Sequence, residues 1–191
     1  ILHEQDLDKK ILEKLGLRIS SPKLDEWKRF IEKVKKSDKK TIEITIVGKY
    51  FGTGEYQLRD SYAALFDAID HATWKIGVDI ETHWIDAEKV EREGVEIVGD
   101  PNGIIVPIGW GKRGAEGMIQ AASYAREKKI PYLGLCYGMQ LAVVSFARDV
   151  LGFKTANTTE NDPNTSYPVI HLMPKQRIFL EKRAYGGTMR L

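Results

Sequence analysis

Among the 191 residues there is one thiol, Cys136, and it stands in the stretch Gly134-Leu135-Cys136-Tyr137-Gly138. Glycine, any residue, nucleophile, any residue, glycine is the spacing of a nucleophile elbow, a strained strand-to-helix turn that lifts the reactive side chain clear of the backbone. The flanking glycines have a physical task. The turn brings its own backbone against its neighbours, where a side chain would collide. A thiol in this place also sits at a helix N-terminus, whose unpaired N–H groups and dipole favour thiolate over thiol. The chemistry this points to is covalent attack by sulfur on an electrophilic carbon. The competing reading is a small buried core cysteine, and it leaves both glycines without a role.

An elbow needs a strand to enter it and a helix to leave it. Strand-like runs occur at Ile42–Gly48, Val78–Ile85, Gly103–Ile108 and Ile130–Leu135. Those beginning at residues 42, 103 and 130 are apolar enough to be buried on both faces. Amphipathic helical patterns lie between and after them: Leu58, Tyr62, Leu65, Phe66 and Ile69; then Met118, Ala121, Ala122 and Ala125; then Met139, Val143, Phe146 and Val150 after the cysteine. Repeated strand-helix-strand units of this length predict an α/β fold, an open and mostly parallel sheet with helices on both faces. In such sheets ligands bind beyond the carboxyl ends of the strands. The site is therefore expected in the loops after Gly48, Ile108 and Leu135.

Residues 1–40 differ in character. Leu7, Ile11, Leu12 and Leu15 mark a short amphipathic helix ended by Gly16, and Ser21-Pro22 supplies a cap and first position for a second helix striped by Leu24, Trp27, Phe30, Ile31 and Val34. The run Glu32 to Lys40, EKVKKSDKK, reads as a solvated helix end leading into a linker, because no aromatic residues interleave with its lysines. Residues 1–40 are thus a helical connecting segment and 41–191 the α/β domain. Lys plus Arg (29) nearly balances Asp plus Glu (27), which gives nucleic-acid binding no support. One cysteine fits a reducing, cytoplasmic setting, and no run reads as a signal peptide or membrane span. FGTGEY (Phe51 to Tyr56) lacks the lysine and hydroxyl ending of a phosphate loop and is read as a tight strand-to-helix loop, and no His/Cys cluster has metal-ligand spacing. The first residue is isoleucine and the last residues are GGTMRL, so both ends are read as cut from a longer chain, with the α/β domain truncated at its C-terminus.

PYLGLCYGMQLA, Pro131 to Ala142, resembles the nucleophile region of class I glutamine amidotransferases. VGKY (Val47 to Tyr50), RGAEGMIQA (Arg113 to Ala121), ARDVLGFKTANTTE (Ala147 to Glu160), SYPVI (Ser166 to Ile170) and GGTMRL (Gly186 to Leu191) are similar to the glutaminase domain of the CTP synthase family, and LDEWKRF to that family's interdomain connection. The resemblance implies a flavodoxin-like fold and the ligase chemistry of pyrimidine biosynthesis. A synthetase domain of the same chain aminates UTP to CTP with ATP and Mg, and this domain supplies ammonia from L-glutamine. It implies no cofactor in this part, GTP as activator of the whole enzyme, and a homotetramer. Cys136 matches the nucleophile, Gly109 and the N–H of Tyr137 the oxyanion donors, Gln140 and Glu160 the residues holding glutamine, and Trp110 an aromatic on a lid that responds to GTP. The residue types suit these tasks, since a carboxylate fits the substrate ammonium and an amide its polar end. Gln140 could equally be solvated, Glu160 a loop cap, Gly109 a turn residue and Trp110 core.

Two residues and one segment depart from the pattern. Ile108 replaces the first glycine of the turn Pro107-Ile108-Gly109-Trp110-Gly111, so strain or a reshaped turn is expected if that site needs positive φ. Tyr137 replaces a leucine, and its phenol is expected to narrow the pocket. The His-Pro-Glu segment that supplies the family's base and its orienting carboxylate is absent, and His3, His71, His83 and His171 are all read as structural. The expectation is little or no glutamine turnover by these 191 residues alone. A related elbow-cysteine hydrolase acting on peptides or small aldehydes would need a histidine close after Cys136, and the residue that follows it is tyrosine. A non-catalytic glutaminase-like scaffold remains compatible with the altered turn.

Overall fold

The computed structural model describes residues 4–19, 23–35, 39–53, 56–57 and 59–173. The chain divides into two compact units, Ile1–Asp38 and Lys39–Leu191. The first contains α1 (Leu7–Lys14) and α2 (Asp25–Lys35), and neither buries a residue. The apolar stripes expected from the sequence are present but face outward: Ile11, Leu15, Trp27 and Ile31 are all exposed. Trp27 and Phe30 meet edge to face with centroids 5.8 Å apart. The expected cap at Ser21-Pro22 lies outside the described residues.

The second unit runs β1 (Thr41–Gly48), β2 (Gly52–Thr53), β3 (Tyr56–Gln57), α3 (Ala63–Ile76), β4 (Asp79–Asp86), α4 (Ala87–Glu93), β5 (Gly103–Val106), α5 (Ala115–Lys128), β6 (Tyr132–Gly134), α6 (Tyr137–Asp149), β7 (Ala156–Thr158) and β8 (Tyr167–Ile170). The main sheet has the order β4-β1-β5-β6, and all three pairings are parallel. Alternation along each strand divides its side chains between two cores. Val47, Ile104 and Val106 face a core completed by Val90 of α4, Met118 of α5, and Leu141 and Val144 of α6. Ile46 and Ile105 face the other, with Phe51, Tyr62 and Phe66. Trp84 closes that side, its ring 4.8 Å from Phe66 and 5.7 Å from Phe51. Helices therefore cover both faces of a parallel sheet, as the strand-helix alternation predicts.

Three local expectations are corrected. The stripe Met139, Val143, Phe146 and Val150 on α6 points to solvent, while Tyr137, Leu141, Val144 and Ala147 form the buried face. Both faces of this helix are apolar, so periodicity alone could not choose between them. Strand β6 lies at the sheet edge with Leu133 51% exposed, and only the second half of β1 is buried, so neither is covered throughout. FGTGEY is not a plain loop, because Gly52–Thr53 pairs antiparallel with Tyr56–Gln57. Helix α4 had no counterpart in the sequence reading; Asp86 caps it, its Oδ1 accepting the Glu88 N–H at 2.8 Å.

Candidate functional site

Strand β6 runs into α6 through a residue forced out of ordinary backbone space. Cys136 has φ 53° and ψ −104°, a conformation rare for any residue with a Cβ, and its side chain is exposed. The Leu135 N–H donates to Val106 O at 2.9 Å and ties the turn to β5, while the Tyr132 hydroxyl donates to Gly138 O at 2.9 Å. The flanking glycines are required by contact. A Cβ on Gly138 would lie 1.9 Å from Val106 O, and one on Gly134 2.7 Å from the Met139 nitrogen. The thiol is left on the open side of a helix whose first N–H groups have no intrahelical partner.

The loop after β5, residues 107–114, lies beside this turn and is held from below by a buried lysine. Lys49, at the carboxyl end of β1, is 2% exposed. Its ammonium donates to the carbonyls of Trp110 and Gly111 and stands 5.0 Å from the centroid of the Tyr137 ring. Burial, and after it the charge of Arg113, lowers its pKa, while Glu160 opposes that shift. The Tyr137 hydroxyl lies 2.9 Å from Gly111 O and 2.6 Å from Asn161 Oδ1, and burial pushes its pKa up to about 12. The Gly111 N–H donates to Glu160 Oε1 at 2.5 Å, the Trp110 N–H to the Tyr50 hydroxyl at 3.1 Å, and the Tyr62 hydroxyl to Ile108 O at 3.2 Å. The loop is thus fixed through its backbone, which leaves the Trp110 indole 62% exposed.

Two departures from the family pattern take their place in this loop, and the condition for strain at Ile108 is not met. Within residues 107–114 positive φ occurs at Gly111 (70°) and Gly114 (68°) and not at Ile108, so isoleucine there meets no left-handed strain. Gly109 is required by proximity instead, because a Cβ would lie 2.8 Å from Lys49 Cδ and 3.2 Å from Tyr137 Cδ1. The Tyr137 phenol is buried and is not among the walls of the neighbouring cavity. It packs under the loop with its hydroxyl spent on Gly111 and Asn161.

Next to the elbow a cavity of about 410 Å³ is walled by Gln140, Thr158, Thr159, Glu160, Ile170 and His171, among others. Gln140 lies one helical turn after Cys136 and donates its N–H to Cys136 O at 3.1 Å. The fold thus brings Gln140 and Glu160 to one cavity, and Gly109 against Tyr137, while Cys136 is not among the cavity's walls. Of the histidines, His71 packs on Trp74 at 5.3 Å, His83 pairs with Glu81 at 3.9 Å, and His3 lies outside the described residues. His171 differs, because it stands on the cavity wall with Nδ1 3.2 Å from Thr159 Oγ1. Sequence reasoning assigned no role to Lys49, Tyr50 or Asn161. Lys49 and Tyr50 carried a signal only as part of VGKY, one of the segments similar to the family.

Residues 57–183 match the family described as glutamine amidotransferase class-I. Over its whole length the chain is 47% identical to CTP synthase of Thermococcus gammatolerans and to CTP synthase of Sulfolobus acidocaldarius, covering 34% and 35% of those proteins. It is 45% identical to CTP synthase of Chloroflexus aurantiacus, again over 34% of the relative. The chain therefore spans about a third of the length of these relatives. Among solved structures, the Trypanosoma brucei CTPS glutaminase domain with bound acivicin aligns with TM-score 0.64 and 31% identity, covering 70% of this chain and 51% of that one. With an elbow cysteine on a parallel α/β sheet, a backbone-anchored loop beside it, and a family match over residues 57–183, the chain belongs to the class-I glutamine amidotransferases.

Proposed function

We propose that this chain is the glutamine-hydrolysing part of a CTP synthase, with Cys136 as nucleophile. The observation that carries the reading is the elbow: an exposed thiol at φ 53° between β6 and α6, with Gln140 one turn further on and Glu160 beside it on a common cavity. The Cys136 sulfur attacks the side-chain carboxamide carbon of L-glutamine, forming a C–S bond while the carbonyl π electrons move to oxygen. The developing oxyanion is received by the N–H of Tyr137 and the loop backbone at Gly109. Collapse of that intermediate breaks the C–N bond, the nitrogen leaves as ammonia with the proton given up by the thiol, and water then cleaves the γ-glutamyl thioester to glutamate and free thiol. Glu160 takes the substrate ammonium and Gln140 its polar end. The proton relay belongs to the His-Pro-Glu segment that the resemblance supplies and these 191 residues lack.

Residues 1–40 are the connection to a synthetase domain, which uses the ammonia to aminate UTP with ATP and Mg in a tetrameric, cytoplasmic, GTP-activated enzyme. Trp110, anchored by its backbone with its indole in solvent, is the lid residue suited to stack on guanine. Among the described residues no group of three or more His, Cys, Asp or Glu side chains could hold a metal. Also among them, no helix is long and apolar enough to cross a membrane. The test of the reading is covalent labelling of Cys136 by a glutamine-mimicking electrophile, with and without glutamine. Glutamine-protected labelling supports it, and slow unprotected labelling overturns it.

A further inference from the structure

Two backbone positions receive the oxyanion in the glutaminase reading, and they lie on different elements. One is the N–H of Tyr137, the first residue of α6, and the other is Gly109 in the loop after β5. Donors of this kind accelerate a reaction only if their spacing is set before the charge appears. The Tyr137 side chain spans the gap between them. Its ring lies against Gly109, where a Cβ would stand 3.2 Å from Tyr137 Cδ1, and its hydroxyl is 2.9 Å from Gly111 O, two residues further along the loop. The same hydroxyl is 2.6 Å from Oδ1 of Asn161, a buried residue whose own N–H donates to Thr158 Oγ1 at 3.1 Å. The Lys49 ammonium stands 5.0 Å from the ring centroid and donates to Trp110 O and Gly111 O, so ring, ammonium and loop are packed as one unit. At 1% exposure the ring has no room to swing. Leucine, the residue of the family pattern here, could fill part of this volume but could bond neither oxygen.

We propose that the Tyr137 side chain is a positioning residue for the oxyanion site, its phenol holding the loop backbone at Gly109 in register with the N–H of Tyr137 itself. This rests on the glutaminase reading above. The phenol acts through the loop and not on the substrate, since Tyr137 is not among the walls of the cavity that holds Gln140 and Glu160. Its effect belongs to the transition state. The two donors meet full negative charge only as sulfur attacks, so their misplacement lowers turnover and spares substrate affinity.

The experiment uses the full-length protein that contains this chain and compares it with Tyr137→Phe, which removes only the hydroxyl. Two rates are read, steady-state hydrolysis of L-glutamine and alkylation of Cys136 by iodoacetamide, a direct displacement of iodide that builds no oxyanion. Tyr137→Phe should lower kcat by about tenfold, the order of one hydrogen bond, and leave KM within about twofold. Iodoacetamide should react at a rate within about twofold of the unaltered protein. Unchanged kcat would overturn the proposal, as would a raised KM with kcat kept. An equal slowing of iodoacetamide would also overturn it, because the elbow itself would then have shifted. Tyr137→Phe takes from Asn161 Oδ1 the hydroxyl it accepts, so Tyr137→Phe/Asn161→Ala, which removes the acceptor as well, is the second variant and serves if the first fails to fold. The same tenfold loss in the double variant supports the proposal, whereas a kcat restored to that of the unaltered protein would trace the effect to Asn161 and overturn it. If the protein with Tyr137 intact hydrolyses no glutamine, the glutaminase reading itself fails, and the proposal falls with it.

Discussion

Substituting Gly138 by alanine tests whether the elbow is set by backbone contact. The new Cβ would lie 1.9 Å from Val106 O and 2.7 Å from Val106 C, whereas ordinary contact begins at 3.4 Å. The gap to be opened is therefore about 1.5 Å between two backbone segments, the middle of the sheet and the first turn of α6, and no flexible side chain can absorb it. Overpacking of this kind costs about 1–3 kcal/mol. The functional effect should be larger in proportion, since displacing a nucleophile by about 1 Å lowers reactivity by about a hundredfold. Gly117→Ala is the matched control. Its Cβ would lie 2.0 Å from Ala87 O, an equally hard clash between α5 and α4 away from the thiol. The assays are urea unfolding and the rate at which a glutamine-mimicking electrophile labels Cys136 in the full-length protein. Both variants should lose similar stability, and only Gly138→Ala should lose labelling, by about two orders of magnitude. Undiminished labelling in Gly138→Ala, or an equal fall in Gly117→Ala, would refute the reasoning.

Lys49→Met keeps most of the buried stem and removes the ammonium that grips Trp110 O and Gly111 O, so it should release the loop. Amide hydrogen exchange at Trp110 and Gly111 should quicken, and the variant should lose about 1–3 kcal/mol from the Trp110 carbonyl left unbonded, Gly111 O keeping the Tyr137 hydroxyl; unchanged exchange would show that the loop is held by Glu160 and Tyr137 without it. Burial pushes Tyr62 and Tyr137 each up to about 12, against about 10 in an unfolded chain. The unfolded state therefore loses these protons first, so stability should be intact below about pH 10 and fall between about pH 10 and 12. Absorbance titration of the phenolates should show a late phase near pH 12 that shrinks by one tyrosine in Tyr137→Phe.

The legible part of this molecule was whatever depended on a local pattern. Alternating β-branched runs and amphipathic stretches specify a covered parallel sheet, and two glycines around one cysteine mark the turn at which backbones touch. Features fixed by tertiary packing were not legible. Helix α6 is apolar on both sides, so only the packing of Leu141 and Val144 against β5 and α5 decides which side is buried. Ile108 was open to strain because it replaces the first glycine of the family's turn, yet the positive φ angles of this loop fall at Gly111, which Lys49 and Glu160 grip, and at Gly114. That His171 stands on the cavity wall was not legible, because Thr159, twelve residues away in sequence, meets it only through the β7–β8 pairing.

The central claim is that Cys136 is a nucleophile aimed at glutamine. It is tested most directly by mass-spectrometric labelling of Cys136 with a glutamine-analogue chloroketone, with and without glutamine, in the full-length protein and in the 191-residue chain. The account predicts fast labelling that glutamine suppresses in the full-length protein, and slower labelling in the shorter chain, which lacks the His-Pro-Glu segment. Slow labelling that glutamine does not alter in the full-length protein would contradict it, and would leave the elbow as the relic of a scaffold.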